Sequence, residues 1–191
     1  MPPKTKFTKE EIIAHALSIV ETEGADRLTA RRLGEALGSS PRPIFTAFRN
    51  MDEVFSETIT AAKELYTRYV LEGLRQPLPF KGVGEQYIRF AGEHKNLFRL
   101  LFMTPVTSVH SRSILQSLDN NYENILSSIT DTYALSVESA EKLYLHLWIY
   151  SHGIAVSIAT DVCRFPSEQI SEMLTQVFAG LLAQEKKGGN S

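Results

Sequence analysis

The sequence is poor in the features that mark secreted, metal-binding or β-rich proteins. Among its 191 residues it has one cysteine, Cys163, and no run with the sustained apolar–polar alternation of a half-buried strand. One cysteine excludes an intrachain disulfide and a cysteine-rich metal site. The first residues, MPPKTKFTKEE, lack the apolar core of a signal peptide, so we expect a cytoplasmic protein.

Long hydrophobic runs are also scarce, and a single segment approaches the length of a membrane span. Residues 143–160 contain no Asp, Glu, Lys or Arg, and a spanning helix needs about 20 mostly apolar residues. The segment also contains two histidines, a glycine and hydroxyl side chains. A helix buried on most sides is the preferred interpretation, and no membrane partner is predicted.

Motifs for catalysis are missing as well. The sequence has no Gly-rich phosphate loop, no nucleophile elbow and no His-Glu metal helix. The histidines at 94, 110, 146 and 152 lack the close spacing of metal ligands. We therefore predict no enzyme, no metal and no cofactor, while a helical enzyme or small-molecule carrier remains an alternative function.

Charge is distributed unevenly along the chain. Residues 1–50 carry eight Lys or Arg against six Asp or Glu, whereas residues 51–191 carry twelve against sixteen. The formal net charge of the whole protein is -2. The slightly basic N-terminal part is where contact with an anionic partner is expected.

Apolar residues recur at helical spacing through most of the chain, which predicts an all-α protein of about nine helices. The first helix is expected to start after Thr8, which with Glu11 forms a capping box, and to stop at Gly24. Asn50 and Glu53 have the same relation at the start of a long fourth helix. The other helices are predicted at 29–37, 41–48, 80–93, 96–103, 110–133, 137–163 and 167–184.

Two short predicted helices, 29–37 and 41–48, are joined by Gly38-Ser39-Ser40. Two short helices around a tight turn with a glycine form a helix-turn-helix, whose second helix enters the DNA major groove. Such pairs also occur in helical proteins that bind no DNA. The beginning of the second helix has two interpretations: Ser40 caps it with Pro41 in the first position, or Arg42 is the cap and Pro43 comes first.

Either interpretation gives the residues of the second helix distinct roles. Arg42 projects from the helix tip, where an arginine reaches guanine or phosphate. Ile44 and Phe48 are four residues apart and are expected to pack inward. Phe45 and Thr46 then face the groove or the DNA backbone, and Arg49 lies beside the start of the fourth helix.

Residues 8–55 resemble the N-terminal domain of the TetR family of transcriptional repressors. The residues that carry the resemblance are Gly24, the run LTARRLGEALG from Leu28 to Gly38, Ser40, Ile44, Phe45, Phe48 and Asp52-Glu53-Val54. The resemblance implies DNA binding, with phosphate contacts near Thr29 and the aromatic residue and base contacts from exposed residues of the second helix. The candidate DNA-binding residues are Lys4, Lys6, Thr29, Arg31, Ser40, Arg42, Pro43, Phe45, Thr46 and Arg49.

The sequence departs from the family pattern at four positions. Phe45 replaces the usual Tyr, Ala47 the usual His and Met51 the usual Lys, and Ser39 replaces a hydrophobic residue. Together these departures remove two or three contacts to the DNA backbone. Affinity is then expected to depend more on the basic residues among the candidates.

The C-terminal part resembles the regulatory domain of a TetR subgroup with a Trp-His-Gly signature. The matching segments are HLWIYSHGIA, with Trp148, His152 and Gly153, and EHKNLFRLLF at 93–102. The resemblance implies a homodimer through the last two helices and a pocket for an unknown small-molecule effector. The candidate ligand-binding residues are Phe98, Phe102, Met103, Tyr122, Trp148 and His152, although each taken singly also fits an ordinary core position.

These patterns together predict a DNA-binding domain at 1–50, a regulatory and dimerisation domain at 51–185 and a tail at 186–191. The predicted function is a ligand-responsive dimeric repressor that binds a palindromic double-stranded operator. The alternative is a helical interaction or small-molecule-binding module that has lost specific DNA binding.

Overall fold

The computed structural model of the protein describes residues 7–104, 115–116 and 121–188. Within these residues it contains nine α-helices, a short 3₁₀ helix at Ala25–Arg27 and no strand, which confirms the all-α prediction. The helices are α1 Lys9–Glu23, α2 Ala30–Ala36, α3 Ile44–Ala47, α4 Met51–Leu74, α5 Pro79–Glu93, α6 Lys95–Phe102, α7 Tyr122–Tyr133, α8 Val137–Ala159 and α9 Ser167–Gly188.

The chain divides into two compact units. The first comprises Met1–Leu65 and His94–Thr104, and the second comprises Tyr66–Glu93 and Pro105–Ser191. The first unit therefore holds α1, α2, α3, the beginning of α4, and α6. The predicted functional regions meet at residue 50, where α4 begins, whereas the compact units divide within α4.

Helix α1 begins and ends where the sequence predicts. The Glu11 backbone N–H donates to Thr8 Oγ1 at 3.1 Å, and the Thr8 N–H donates to Glu11 Oε2 at 2.8 Å, which completes the capping box. Gly24 ends the helix at φ 92°, a conformation that glycine adopts without a Cβ clash. The apolar face of α1 packs in the core of the first unit. The buried residues of this core are Ile12, Ala16, Ile19, Leu33, Leu37, Ile44, Phe48 and Val54.

Polar contacts attach α6 to α1 within the first unit. His94, just before α6, has its Nδ1 2.5 Å from Glu21 Oε1. The Asn96 side-chain amide donates to the Glu21 carbonyl oxygen at 2.9 Å. These contacts place the short α6 against the C-terminal half of α1.

The second unit is built on α5 and α8, which pack against each other and against α7 and α9. The C-terminal end of α4 crosses α5 so closely that neither Gly73 nor Gly82 has room for a side chain. A Cβ on Gly82 would lie 2.4 Å from the Gly73 carbonyl oxygen. The large side chains fully buried in this unit include Phe90, Ile125, Ile129, Leu143 and Leu174.

In the second unit, three predicted helix bounds differ from the structure by four residues or more. The span expected at 110–133 is represented by α7, which starts at Tyr122 after the non-helical Asn121 (φ -100°, ψ 10°); most of its earlier part lies outside the described residues. Helix α8 ends at Ala159 rather than 163, because Asp161 has a positive φ of 59° that ends the helical path. Helix α9 continues beyond 184 to Gly188.

Residues 143–160 do not form a membrane-spanning helix of sufficient length and hydropathy. In the described parts of the chain, no helix is long and apolar enough to cross a membrane. Residues 143–159 instead form most of α8, with Leu143, Leu147 and Ala155 in the core of the second unit.

Candidate DNA-binding surface

Helix α2 is fixed at its start by Thr29 and buries one face in the first unit. Thr29 Oγ1 accepts a hydrogen bond from the Arg32 N–H at 3.2 Å, as expected of an N-cap. Leu33 and Gly34 are buried, whereas Arg31 is exposed and bonds Glu35 Oε1 through its Nε at 3.1 Å. The arginine on the outer face of α2 is therefore already paired with a glutamate of the same helix.

The turn after α2 closes tightly. Gly38 has φ 60°, and the N–H groups of Gly38 and Ser39 donate to the carbonyl oxygens of Glu35 and Gly34 at 3.0 and 2.9 Å. This pair of bonds is the Schellman arrangement that ends a helix with a left-handed glycine. A Cβ on Gly34 would lie 3.1 Å from the backbone of Ser39 and Pro41, so a glycine there lets the turn pack directly on α2.

Helix α3 is shorter than predicted. It spans Ile44–Ala47 rather than 41–48, Pro43 occupies the N-cap position, and neither Ser40 nor Arg42 caps it. The Ile44 N–H donates to the Pro41 carbonyl oxygen at 3.1 Å, which makes residues 41–44 a separate turn. The physical reason is that proline disfavours helical dihedrals in the residue before it, so the α-helix cannot include Arg42 and Pro43 as a regular first turn.

The two faces of α3 are distinct, as predicted. Ile44 is 0% exposed and Phe48 is 2% exposed, and both belong to the core of the first unit. Phe45 is 47% exposed. Thr46 is also exposed, and its hydroxyl donates to the Arg42 carbonyl oxygen at 3.4 Å. The buried pair fixes the helix, so its outer face is presented to the surroundings in one orientation.

The start of α4 is organised around the carboxylate of Glu53. Its N–H donates to Asn50 Oδ1 at 2.9 Å, which confirms the predicted cap. Its carboxylate accepts from the Arg49 N–H at 2.8 Å and from Lys9 Nζ at 3.2 Å. The Arg49 backbone bond, followed by the Lys9 contact, lowers the pKa of Glu53 from 4.5 to about 2.

The candidate cations of this surface differ in how they are neutralised. Arg49 is paired with Glu53 at 3.3 Å, and Arg31 with Glu35. Arg42 is exposed and has no ion pair with any other described residue. Lys4 and Lys6 lie outside the described residues. Among the candidate cations that the structure describes, Arg42 is therefore the one whose charge is most available to an anionic partner.

An ion pair between α1 and α2 was not predicted from the sequence. Arg32 contacts the Glu23 carboxylate with both Nε and Nη2, the shortest distance being 2.6 Å. These residues are nine apart and lie on either side of the 3₁₀ turn, so no helical spacing connects them. The pair ties the start of α2 to the end of α1 and leaves Arg32 less free to bind an anion.

The predicted ligand-binding residues lie in both units. Phe98, Phe102 and Met103 belong to the first unit, where Phe98 is 0% exposed and packs on the Phe102 ring with centroids 5.2 Å apart. Tyr122, Trp148 and His152 belong to the second unit. The six residues are therefore not brought together within one compact unit.

In the second unit, Trp148 and His152 form an aromatic cluster with Tyr87 that leaves little free space. Trp148 stacks on His152 at 4.9 Å between ring centroids, and His152 Nδ1 lies 2.9 Å from the Tyr87 hydroxyl. Burial lowers the pKa of His152, which favours the neutral imidazole. The adjacent cavity measures only about 20 Å³ and includes Trp148 and Ser151 in its lining. That is room for one water molecule and not for a drug-sized effector.

A larger groove lies elsewhere in the second unit. Its volume is about 610 Å³, within the range of roughly 300–1,000 Å³ typical of ligand pockets. Apolar side chains of α5, α8 and α9 line it with a polar rim, and none of the six predicted residues takes part. The apolar lining includes Ile88, Ile158, Phe165 and Ile170. Sequence periodicity gives no signal for this groove, because a groove-lining isoleucine has the same helical spacing as a core isoleucine.

In the described parts of the chain, no group of three or more His, Cys, Asp or Glu side chains is placed to hold a metal ion.

Comparison with known proteins bears on the fold of the whole chain. No protein-family model and no curated protein matches the sequence. A crystal structure of a provisionally assigned TetR-family transcriptional regulator from Mesorhizobium loti MAFF303099 is similar, with a TM-score of 0.56 and 14% sequence identity. The similarity covers 94% of this chain and 97% of the other. This protein therefore has the fold of TetR-type transcriptional regulators.

Proposed function

We propose that the protein is a dimeric, ligand-responsive transcriptional repressor that binds a palindromic operator with α3. The observation that carries the proposal is the two-faced α3: Ile44 and Phe48 are buried, while Phe45 and Thr46 are exposed next to the unpaired Arg42. A short helix fixed by its core face after a glycine turn is the geometry of a recognition helix.

The candidate residues divide into those that select bases and those that contact phosphates. Arg42 has a free guanidinium at the tip of α3, which suits guanine in the major groove. Arg31 and Arg49 are on the flanks and suit phosphates, but each must first leave a glutamate. Thr29 accepts the capping bond with its oxygen, so its hydroxyl hydrogen remains available to a phosphate.

Dimerisation is proposed through α8 and α9. Ile149 on α8 is 56% exposed, and one turn later Gly153 is also exposed, with nothing within 4 Å of an added Cβ. Gly180 on α9 is exposed and open in the same way. An apolar and small-residue surface of this kind suits close helix packing, and a two-fold dimer matches a palindrome with half-sites about 34–36 Å apart or further.

The effector site is proposed in the groove of the second unit rather than in the aromatic cluster. The groove has about thirty times the cavity volume, 610 against 20 Å³. A ligand there that prefers one arrangement of the dimer lowers operator affinity by at most its differential affinity for the two arrangements. A groove-filling Ile158→Trp change is expected to abolish the response to an effector without removing operator binding.

Selection from a random duplex library tests the proposal directly. The full-chain protein is expected to enrich a two-fold symmetric sequence, to sediment as a dimer, and to bind the selected duplex with an affinity that falls steeply with salt. Failure to enrich any sequence at low salt, together with a monomer in solution, would overturn it.

A module that has lost specific DNA binding is the second candidate. It is favoured by the neutralisation of Arg31, Arg49 and Lys9 by neighbouring glutamates, which leaves little free positive charge on this surface. In that case the protein dimerises and binds small molecules, but duplex DNA shows no retardation at low salt.

A further inference from the structure

Phe45 is an unusual residue for a surface that contacts DNA. It is 47% exposed, whereas Ile44 and Phe48 beside it are 0% and 2% exposed. Its ring has no hydrogen-bond donor or acceptor, so it can form neither a phosphate bond nor a polar bond to a base edge. Its contribution to any complex must come from apolar contact, which is favourable in proportion to the area removed from water.

A DNA duplex offers few apolar groups to a helix in the major groove. The thymine C5-methyl is the apolar feature among the base edges there, and phenylalanine is one of the side chains suited to contact it. Phosphates are excluded as partners of the ring because they are charged and hydrated. The sugars are the remaining apolar surface, and contact with them would carry no information about sequence.

The position of Phe45 on α3 favours the base edge over the sugars. It is half exposed and precedes Thr46, the exposed residue that lies opposite the buried Ile44 and Phe48. Arg42, the candidate for base contact, lies before the helix, and Arg49, the candidate for phosphate contact, lies after it. With Arg42 at a base edge, the Phe45 ring three residues further on is close enough to the same groove to meet a thymine methyl group.

We propose that Phe45 is a specificity-determining residue that contacts the methyl group of one thymine in each operator half-site. The inference rests on the proposed operator binding and adds the chemical group that is recognised. Loss of one buried methyl is expected to weaken binding about fourfold, from about 0.8 kcal/mol per buried carbon at 1.4 kcal/mol per factor of ten.

The experiment uses the duplex selected by the full-chain protein, remade with each thymine replaced in turn by deoxyuridine. Wild type is expected to lose about fourfold in affinity at one position per half-site, from the same methyl estimate. 5-Bromodeoxyuridine at that position, which restores an apolar group at C5, is expected to recover the affinity. Phe45→Ala is expected to bind the thymine and deoxyuridine duplexes equally at that position.

The controls separate this inference from the proposed function. Leu78→Ala removes another exposed apolar side chain, 48% exposed and in the second unit, and should respond to deoxyuridine as wild type does. If the selected duplex binds but no thymine position responds, or if Phe45→Ala responds as wild type does, the methyl contact is refuted while operator binding stands. If no duplex is selected, operator binding fails and the methyl contact with it.

Discussion

The two predicted sites of this protein differ in where the structure places their residues. The helix-turn-helix residues lie within one compact unit and form one surface, whereas the six predicted effector residues are distributed over both units. The first site is specified by caps and a turn within about twenty consecutive residues. The second requires residues from helices far apart in sequence, whose meeting depends on tertiary packing. Local sequence signals place the residues of the first site on neighbouring elements, whereas the second site depends on packing that such signals do not specify.

Glycine contacts in the two units differ in how tightly they pack. Gly34 accommodates a turn a few residues away, while Gly82 accommodates a different helix, α4, at Gly73. The second contact is the tighter one. Because the obstacle at Gly82 is the backbone of another helix, a methyl group there should have the largest effect of the changes considered.

Gly82→Ala is expected to lower the unfolding free energy by about 2–3 kcal/mol, at the upper end of overpacking costs because the obstacle is backbone. The added Cβ would lie 2.4 Å from the Gly73 carbonyl oxygen. Urea denaturation followed by circular dichroism measures the change. Gly92→Ala on the same helix is the matched control, because its Cβ would meet only Ile158 Cγ2, at 3.6 Å. The control should be neutral or gain about 0.5–1 kcal/mol from helix propensity, and equal effects of the two changes would contradict the close crossing.

Within the DNA-binding surface, the comparison is between a free and a paired arginine. Arg42→Ala should weaken binding to the selected duplex about tenfold or more, roughly 1.4 kcal/mol, and relax selectivity at one base pair. Arg31→Ala should weaken binding to all duplexes by a smaller factor and reduce the salt slope by about 1. The Arg31 effect is smaller because that side chain must give up Glu35 to bind DNA.

Titration of the two variants over several salt concentrations, on the selected duplex and on a scrambled one, separates these effects. Equal losses on both duplexes for Arg42→Ala would show that Arg42 contacts backbone only. That result would move base selection to other residues of α3.

The sequence allowed prediction of most helix starts because their signals are local. Thr8, Thr29 and Asn50 each cap a helix as predicted. The predicted start of α3 was wrong because two signals compete there. Ser40-Pro41 favours a helix start, whereas Pro43 disfavours helical dihedrals at Arg42. The structure shows that the second signal prevails and shortens α3 to four residues.

The parts that escaped prediction depend on contacts between distant segments. The end of α8 is set by the positive φ of Asp161, and an aspartate at that position is only a weak signal, because most aspartates have negative φ. The groove of about 610 Å³ forms where α5, α8 and α9 leave space between them. Neither feature follows from periodicity, because periodicity identifies the apolar face of a helix but not what covers it.

The acid sensitivity of the first unit provides a test with a smaller expected effect, which concerns how local contacts stabilise the start of α4. The pKa of Glu53 is lowered from 4.5 to about 2, chiefly by the Arg49 N–H and then by Lys9. A lowered folded-state pKa means that the stabilisation is present above pH 4.5 and is lost as the pH falls toward about 2. Glu53→Gln should therefore flatten the fall in unfolding free energy between these pH values.

Lys9→Met is the companion variant for this pH profile. It removes one of the hydrogen-bonding partners of the Glu53 carboxylate, so the acid limb of the stability curve should shift to higher pH. Denaturation at a series of pH values measures both variants. A curve for Glu53→Gln that is parallel to wild type would show that this carboxylate does not couple folding to protonation.

The smallest expected effect concerns Ser151 in the second unit, next to the small aromatic cavity. Its Oγ is buried and has no hydrogen-bond partner among the described residues, whereas Ser157 on the same helix donates to the Gly153 carbonyl oxygen at 2.8 Å. Ser151→Ala removes an unsatisfied polar group and improves helix propensity, so the unfolding free energy should rise by about 0.5–1 kcal/mol. Ser157→Ala loses a formed bond and should gain less. A loss of stability for Ser151→Ala would instead show that a water molecule or ligand atom bonds this hydroxyl in solution, which would return the aromatic cavity to consideration as the effector site.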